Sequence, residues 1–395
     1  MFSAILLVVA IGANQQQEPL FPRLFPVPTG QNGMEEYVRA MDLSKQLDIE
    51  YARNMVYRLD QLYPIYEMQS EEFTKTARVL ALVAIGNNKP FFPVTSGDDF
   101  TMFPLQAGMK QLAKLLAQHA EVQFARGQVN QGFDTLLEGL ALSERVKNSG
   151  GYMDRLVGDA SNSILISTLD DHLHAMSLPA AEKVLARIPP PVFPAKELPT
   201  LVRREMAQIR RRMLLSSEGR LKAMDLLTGG LAEFPPIEKK FILEAIQSFQ
   251  TSGAELLHAA EDLASLPEIE WFRESNKLRV VNVENELAAA TLSGDLHFQL
   301  AQRIALGRTV TRLLRLNAHV MRFRWLHDRY PTTLEELDVG DEADDPLSGQ
   351  RFYYRPKIEG FELYTLGNAS IARTGMRLSG RIFTRNTLGP PSRED

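Results

Sequence analysis

The sequence predicts a mainly α protein, stacked helical hairpins followed by a small α+β module. Three observations predict it. From Met34 onward, apolar residues recur three and four apart over long stretches, as on one face of a helix. Glycine- and proline-rich breaks separate these stretches. After about residue 305 the pattern gives way to a proline stop, an acidic loop and two short aromatic runs.

A chain of 395 residues has room for two domains and a sizeable core. Its 44% hydrophobic and 24% charged residues are ordinary globular composition. The net charge of −5 gives no global field that would gather nucleic acid, so none is expected as a partner. The absence of cysteine excludes disulfides, thiol nucleophiles and thiolate metal sites, and is neutral on compartment.

The opening, "MFSAILLVVAIGANQQQ", carries an apolar run from Ala4 to Ile11. A bilayer takes roughly 20 apolar residues, so this run is too short to span one; its length suits a signal peptide. Residues 1–13 are read as that signal, cleaved after Ala13 or Gly12, with export to the periplasm or beyond as the expectation. No Lys or Arg precedes the run, and Ile11 is a poor residue two before Ala13. The other reading is an uncleaved segment buried in a cytoplasmic domain.

A linker follows over residues 14–33, with four prolines between Glu18 and Gly33. A helical domain is expected over 34–304. Its first helix runs Met34 to Tyr63, with Tyr37, Met41, Leu47, Tyr51, Met55, Leu59 and Leu62 on one face. A second runs Glu71 to Ile85, before Gly86-Asn87-Asn88. Lys89 to Pro104 is a loop of aromatics and prolines, and Leu105 to Asn148 a helical hairpin. A helix over Tyr152 to Met176 precedes the hard break "RIPPPVFPAKELP", Arg187 to Pro199. An Arg-rich helix over Leu201 to Leu227, another from Phe234 to Ala264, and one or two more through Leu306 complete the body. Residues 305–386 form the α+β module, and 387–395 a tail.

Within the hairpin, "AEVQFARGQVNQGFDTLLEGLAL" resembles a tetratricopeptide-type unit. Ala120, Phe124, Gly127, Gly132, Leu136, Gly139 and Leu140 fall where that repeat places its small and large residues. Small residues at a crossing let two helices approach closely. One good copy is present, whereas a stable stack needs about three; an ordinary helix pair is the alternative.

In the module, "RTVTRLLRLNAHVMRFRWLHDRYP" reads as one amphipathic helix, with Leu313, Leu316, Val320, Phe323 and His327 on its apolar side and arginines elsewhere. Pro331 stops it, because the residue before proline disfavours helix. Thr333 to Glu336 has a capping-box pattern. "RFYYR" and "FELYTL", Arg351–Arg355 and Phe361–Leu366, form a hairpin that must lie on the helix, with Arg381 to Thr384 a candidate third strand.

The order Tyr330-Pro331, Leu334 with Leu337, Asp345-Pro346, Gly349, Phe352 with Tyr354, and Leu363-Tyr364 with Gly367 resembles the globular part of type II secretion pseudopilins, the major one in particular. The resemblance covers about Leu306 to Thr374, under a fifth of the chain. It implies a helix-plus-strands module and contact with secretion subunits. Pseudopilins begin with a prepilin-peptidase site and a long polymerising helix; this chain has neither, so a pilus subunit is not implied. The family's calcium loop corresponds here to "GNASIARTGM", which has no acid, so that site is not carried over. The helical region also resembles exported bacterial helical proteins that end in the same module, a group with no activity attached.

Few residues group for chemistry. Glu255, His258 and Glu261 match half of a di-iron site, but no second Glu-x-x-His accompanies them. Asp171, His172 and His174 lie too close in sequence to share a helical face. The loop from Glu336 to Asp345 is rich in carboxylates without the EF-hand pattern. Arg203, Arg204, Arg210, Arg211 and Arg212 form a basic stripe that could meet an acidic partner or a membrane surface, or pair with nearby glutamates. No phosphate loop, nucleophile elbow or dinucleotide fingerprint is present, so no cofactor is expected. The expectation is a non-catalytic, exported protein-interaction component, binding through the Arg203, Arg204, Arg210 and Arg211 stripe and through Phe352, Tyr354 and Tyr364. The alternative is an exported enzyme or metal-binding protein using Glu255, His258 and Glu261.

Overall fold

The computed structural model describes residues 19–45, 47, 70–92, 102–191, 197–217, 239–266, 270–271, 274–279, 294–358, 360–365 and 383–387. The expected signal segment, the second half of the helix to Tyr63, the continuation of the Arg-rich helix to Leu227 and the C-terminal tail lie outside them.

The protein is mainly α. Its helices are α1 (Leu20–Leu24), α2 (Gly33–Ser44), α3 (Ser70–Asn87), α4 (Met102–Ala125), α5 (Val129–Lys147), α6 (Tyr152–His172), α7 (Leu178–Arg187), α8 (Glu197–Ser217), α9 (Lys239–Ser265) and α10 (Gly294–His327). Short 3-10 turns cover Leu173–Ala175, Ser275–Arg279, Leu334–Leu337 and Gly340–Ala343. No helix among the described residues is long and apolar enough to cross a membrane.

The expected hairpin is α4 and α5. Gly127, at φ +72°, makes the turn between them, where a side chain would be strained. On α5 a Cβ at Gly139 would stand 2.5 Å from Leu165 of α6, so glycine sets the closeness of that crossing. A polar staple ties the neighbouring helices. Tyr37 Oη donates to Asn87 Oδ1 at 2.6 Å, Asn87 Nδ2 donates to Glu138 Oε2 at 2.6 Å, and Arg187 pairs with Glu138 at 2.7 Å. Ser177 caps α7 by accepting from the Ala180 N–H, with Pro179 in the first turn, where a missing N–H costs nothing. Leu198 and Pro199, expected in the break, form the first turn of α8 for the same reason.

Two large apolar cores result among the described residues, with a small cluster of Ala305 and Leu347 beside them. The first gathers α1 to α7, the second half of α10 (Leu313 to Met321) and the C-terminal residues Leu334, Ala343, Phe352, Phe361 and Leu363. The second joins Tyr152, α8, α9, Trp271, Leu278 and the first half of α10, through Leu300, Ala301 and Ile304. One helix serves both, and it runs unbroken across residue 305, where the change of character was expected.

That double duty corrects the amphipathic reading of α10. Residues 313–318, Leu-Leu-Arg-Leu-Asn-Ala, are all buried, so the helix is covered on every side there. Its arginines do not all form a solvated face. Arg315 is 5% exposed. Its Nε and Nη2 donate to Glu342 at 2.7 and 3.0 Å, and its Nη1 donates to the carbonyls of Leu185 and Ile188 at the end of α7. A buried guanidinium is tolerable only when paired and hydrogen-bonded, as four of the five N–H donors are here.

Beyond α10 the chain turns at Asp328, left-handed at φ 52°, before Pro331. The capping box is displaced by one residue: Glu336 accepts from the Thr332 N–H at 2.6 Å rather than from Thr333. Three antiparallel strands follow, β1 (Tyr353–Lys357), β2 (Gly360–Tyr364) and β3 (Phe383–Thr387), with β2 central. Tyr353 faces Tyr364 and Lys357 faces Gly360 in the first pairing. Phe361 and Leu363 lie against the first core, as a hairpin needing an apolar support requires. The Asp345 carboxylate, 1% exposed, knots the preceding loop by accepting from Leu347 N (3.0 Å), Ser348 Oγ (2.7 Å) and Thr365 Oγ1 (2.6 Å).

Arg315→Met is expected to destabilise the fold by about 3–5 kcal/mol, because it strands Glu342 and two carbonyls. Arg315→Met with Glu342→Leu should recover much of that loss in urea titration. Equal loss in single and double variants would contradict the pairing.

Candidate functional site

Where the two cores meet along α10 they do not fill the space. A cavity of about 890 Å³ lies between α5, α6, α8, α10 and the extended segment Ile188–Pro191. That volume is within the range of about 300–1,000 Å³ typical of ligand sites. Ile304, from the second core, and Leu314, from the first, mark the two ends of its α10 floor.

Gly307 sits between them. A Cβ there would meet nothing within 4 Å, and no unusual backbone angle is found at this position. Glycine inside a helix costs about 0.5–1 kcal/mol relative to alanine. Neither packing nor backbone geometry calls for it, and it faces the cavity. The missing side chain keeps the floor clear.

The lining is apolar with a cationic surround. Leu137, Leu140, Ile166, Leu201, Ile304 and Leu314 supply aliphatic surface. Among the described residues six cations, Arg145, Lys147, Arg155, Arg187, Arg204 and Arg308, line it against two carboxylates, Glu144 and Glu197. Glu197, at the start of α8, is the hub. It pairs with Arg155 of α6 and stands 3.7 Å from Arg308 of α10, and both arginine side chains are 8% exposed. Asp159 adds a second carboxylate to Arg155 at 3.2 Å and approaches Lys147 at 3.5 Å. Among the described residues, Arg145 donates to the carbonyls of Asn87 and Lys89, and Arg204 to that of Asn148 at 3.3 Å. Thr311 Oγ1 donates to the Gly307 carbonyl, so it is not poised as a nucleophile. The arrangement can hold a ligand; among the described lining residues no nucleophile stands beside a base.

The residues expected to act are dispersed. Arg203 and Glu261 meet in an exposed ion pair between α8 and α9, so that glutamate is already engaged. Glu255 is exposed, and His258, also exposed, lies 3.8 Å from Asp262. Arg210 and Arg211 are exposed, and of the stripe's described side chains Arg204 reaches the cavity. Phe352 is 3% exposed and belongs to the first core, so it offers no surface to a partner. Tyr354 is half-buried, its hydroxyl donating to the Pro331 carbonyl at 2.8 Å. Tyr364 stacks on Tyr353 with ring centroids 4.3 Å apart. The acidic loop's carboxylates face different ways: Glu336 takes Arg329, Glu342 takes Arg315 and Asp345 is internal. Among the described residues no three His, Asp or Glu side chains stand together as a metal would need.

Gly307, Arg308, Glu197 and Arg155 were missed by sequence reasoning. The available signals were a glycine inside a strong helical pattern and arginines spaced by seven, Arg308, Arg315, Arg322 and Arg329. Comparison with protein-family models, with curated proteins and with solved structures finds no match.

A second polar feature lies apart, on α6. Among the described residues Asp170 Oδ1 is buried without a hydrogen-bond partner. Burial, reinforced by the neighbouring Asp171 charge, pushes its carboxyl up to about 7. The nearby His172 ring pairs with Glu121 at 2.8 Å and stacks on Phe124. An unfolded aspartate titrates near about 3.9. Between that value and about 7 the folded chain keeps a proton that the unfolded chain has released. Stability therefore falls as pH rises through this window, by at most about 1.4 kcal/mol per pH unit, and is flat above it. Asp170→Asn should match the parent near about pH 4 and be the more stable protein above about pH 7 in urea titrations, because only the parent must ionise there. A variant no more stable than the parent above that pH would contradict the assignment.

Proposed function

We propose that this chain is a non-catalytic, exported envelope protein that acts as an interaction or scaffold component. The cavity on α10 is its binding site. The observation that carries the reading is Gly307, a helix-interior glycine that nothing in the packing requires and that leaves the cavity floor open. Export rests on the apolar N-terminal run. The C-terminal hairpin is the element we assign to docking on secretion-type machinery. Its support is the motif order from Tyr330 to Gly367 and a hairpin tip presenting the fully exposed Ile358.

The test places a photoreactive amino acid at Gly307 in one variant and at Ile358 in another, with irradiation in cells and isolation of the envelope. The expected result is a discrete protein adduct from position 307 and an adduct containing secretin or pseudopilin subunits from position 358. A folded 307 variant that yields no protein adduct overturns the binding site. Adducts from 358 that contain no secretion subunit overturn the association with that machinery.

A further inference from the structure

We infer that the cavity takes an acidic peptide segment, an extended stretch of a partner protein whose carboxylates alternate with aliphatic side chains. This rests on the reading of the cavity as a binding site and adds the chemistry of its occupant.

Charge is the first argument. Six cations line the cavity against Glu144 and Glu197. From just outside, Asp159 pairs with Lys147 and Arg155, and Glu138 with Arg187. Among the described residues two of the six, Arg145 and Arg204, spend their hydrogen bonds on carbonyls. A carbonyl satisfies a donor but does not neutralise its charge. A ligand carboxylate does both, and a guanidinium fork receives it in bidentate fashion.

The distribution of those cations is the second argument. They come from opposite sides: Arg145 and Lys147 on α5, Arg155 on α6, Arg187 at the end of α7, Arg204 on α8 and Arg308 on α10. A single anionic headgroup with a long tail would be served by cations gathered at one end. Charges spread around an aliphatic floor suit a ligand whose acids are spread along its length.

The third argument is what the lining lacks. Among its described residues there is no Phe, Tyr, Trp or His. Binding of single-stranded nucleic acid relies on aromatic platforms for its bases, and the described lining offers none. The wall Pro189–Pro191 has no N–H to donate, so a peptide could not join it as a ladder of main-chain bonds. Recognition must run through side chains, guanidiniums to carboxylates and Leu137, Leu140, Ile304 and Leu314 to apolar residues.

The test selects a displayed library of random dodecapeptides on the full-length protein, with counter-selection on Gly307→Leu, which fills the floor. The strongest binder is then made with a fluorescent label and titrated by anisotropy. Gly307 has open space and Arg204 is exposed, so both variants should fold, which far-UV circular dichroism checks. The expected outcome is enrichment of Asp and Glu among Leu, Ile, Val and Met. Replacing the acids by amides, or Arg204→Glu in the protein, should weaken binding about tenfold or more, as should raising salt from about 0.05 to about 0.5 M. Binders that depend on Gly307 but carry no acids, or are indifferent to Arg204→Glu, overturn the acidic class and leave the binding site standing. A selection with no binder sensitive to Gly307→Leu overturns both. Displacement of an acidic binder by vesicles of anionic lipid, and not by unlabelled peptide, overturns the peptide in favour of a lipid ligand.

Discussion

A single helix with two cores to fill governs this structure. The first half of α10 closes the α8–α9 core through Leu300, Ala301 and Ile304. The second half closes the larger core through Leu313, Leu316, Ala318, Val320 and Met321. Each buried leucine contributes about 1.5–3 kcal/mol, so neither half can be given up cheaply. The helix must therefore be apolar on different sides at its two ends, and apolar on every side where the larger core surrounds it.

Arginine is costly in such a place, yet Arg308 and Arg315 stand one heptad apart inside it. Each is matched by a carboxylate from a different element, Glu197 on α8 and Glu342 in the acidic loop. These pairs fix what an apolar contact would leave loose, the rotation of α10 and the placing of the loop that leads to the strands. Arg315 also holds the end of α7 through two carbonyls, which joins the helical body to the hairpin module at one side chain. The cavity is the other consequence. Two cores built on successive stretches of one helix leave a seam between them, and the cations that order the seam also give it its chemistry.

The parts of this fold that were legible in the sequence are those that local rules decide. Alternation and a glycine turn announced the β1–β2 hairpin, and Arg381 to Thr384 pointed to the third strand within two or three residues. Gly127 and Gly139 were read as small positions of a repeat-like helix pair; the first makes the turn of that pair and the second its close approach to α6. Asp345-Pro346 was noted as part of the motif order, and the Asp345 carboxylate knots that loop. Arg308 and Arg315 of α10 were misread because an arginine in a helical pattern says solvent, and nothing local reveals a carboxylate that is distant along the chain. Glu261 pairs with Arg203 of another helix, in line with the reading that the stripe pairs with nearby glutamates. The cavity was illegible altogether, being a property of how five segments meet, with Gly307 its one local trace.

If α10 binds both cores into one body, the strands cannot open without it. Native-state hydrogen exchange measures this directly, by comparing amides of β2 with amides of α5 in the first core and α9 in the second. The account predicts that the most protected amides of all three share one opening free energy and respond together to added denaturant. Opening of β2 at a distinctly lower free energy, with α5 and α9 still protected, would contradict it and make the strands a module that rests on the helical body without being part of it.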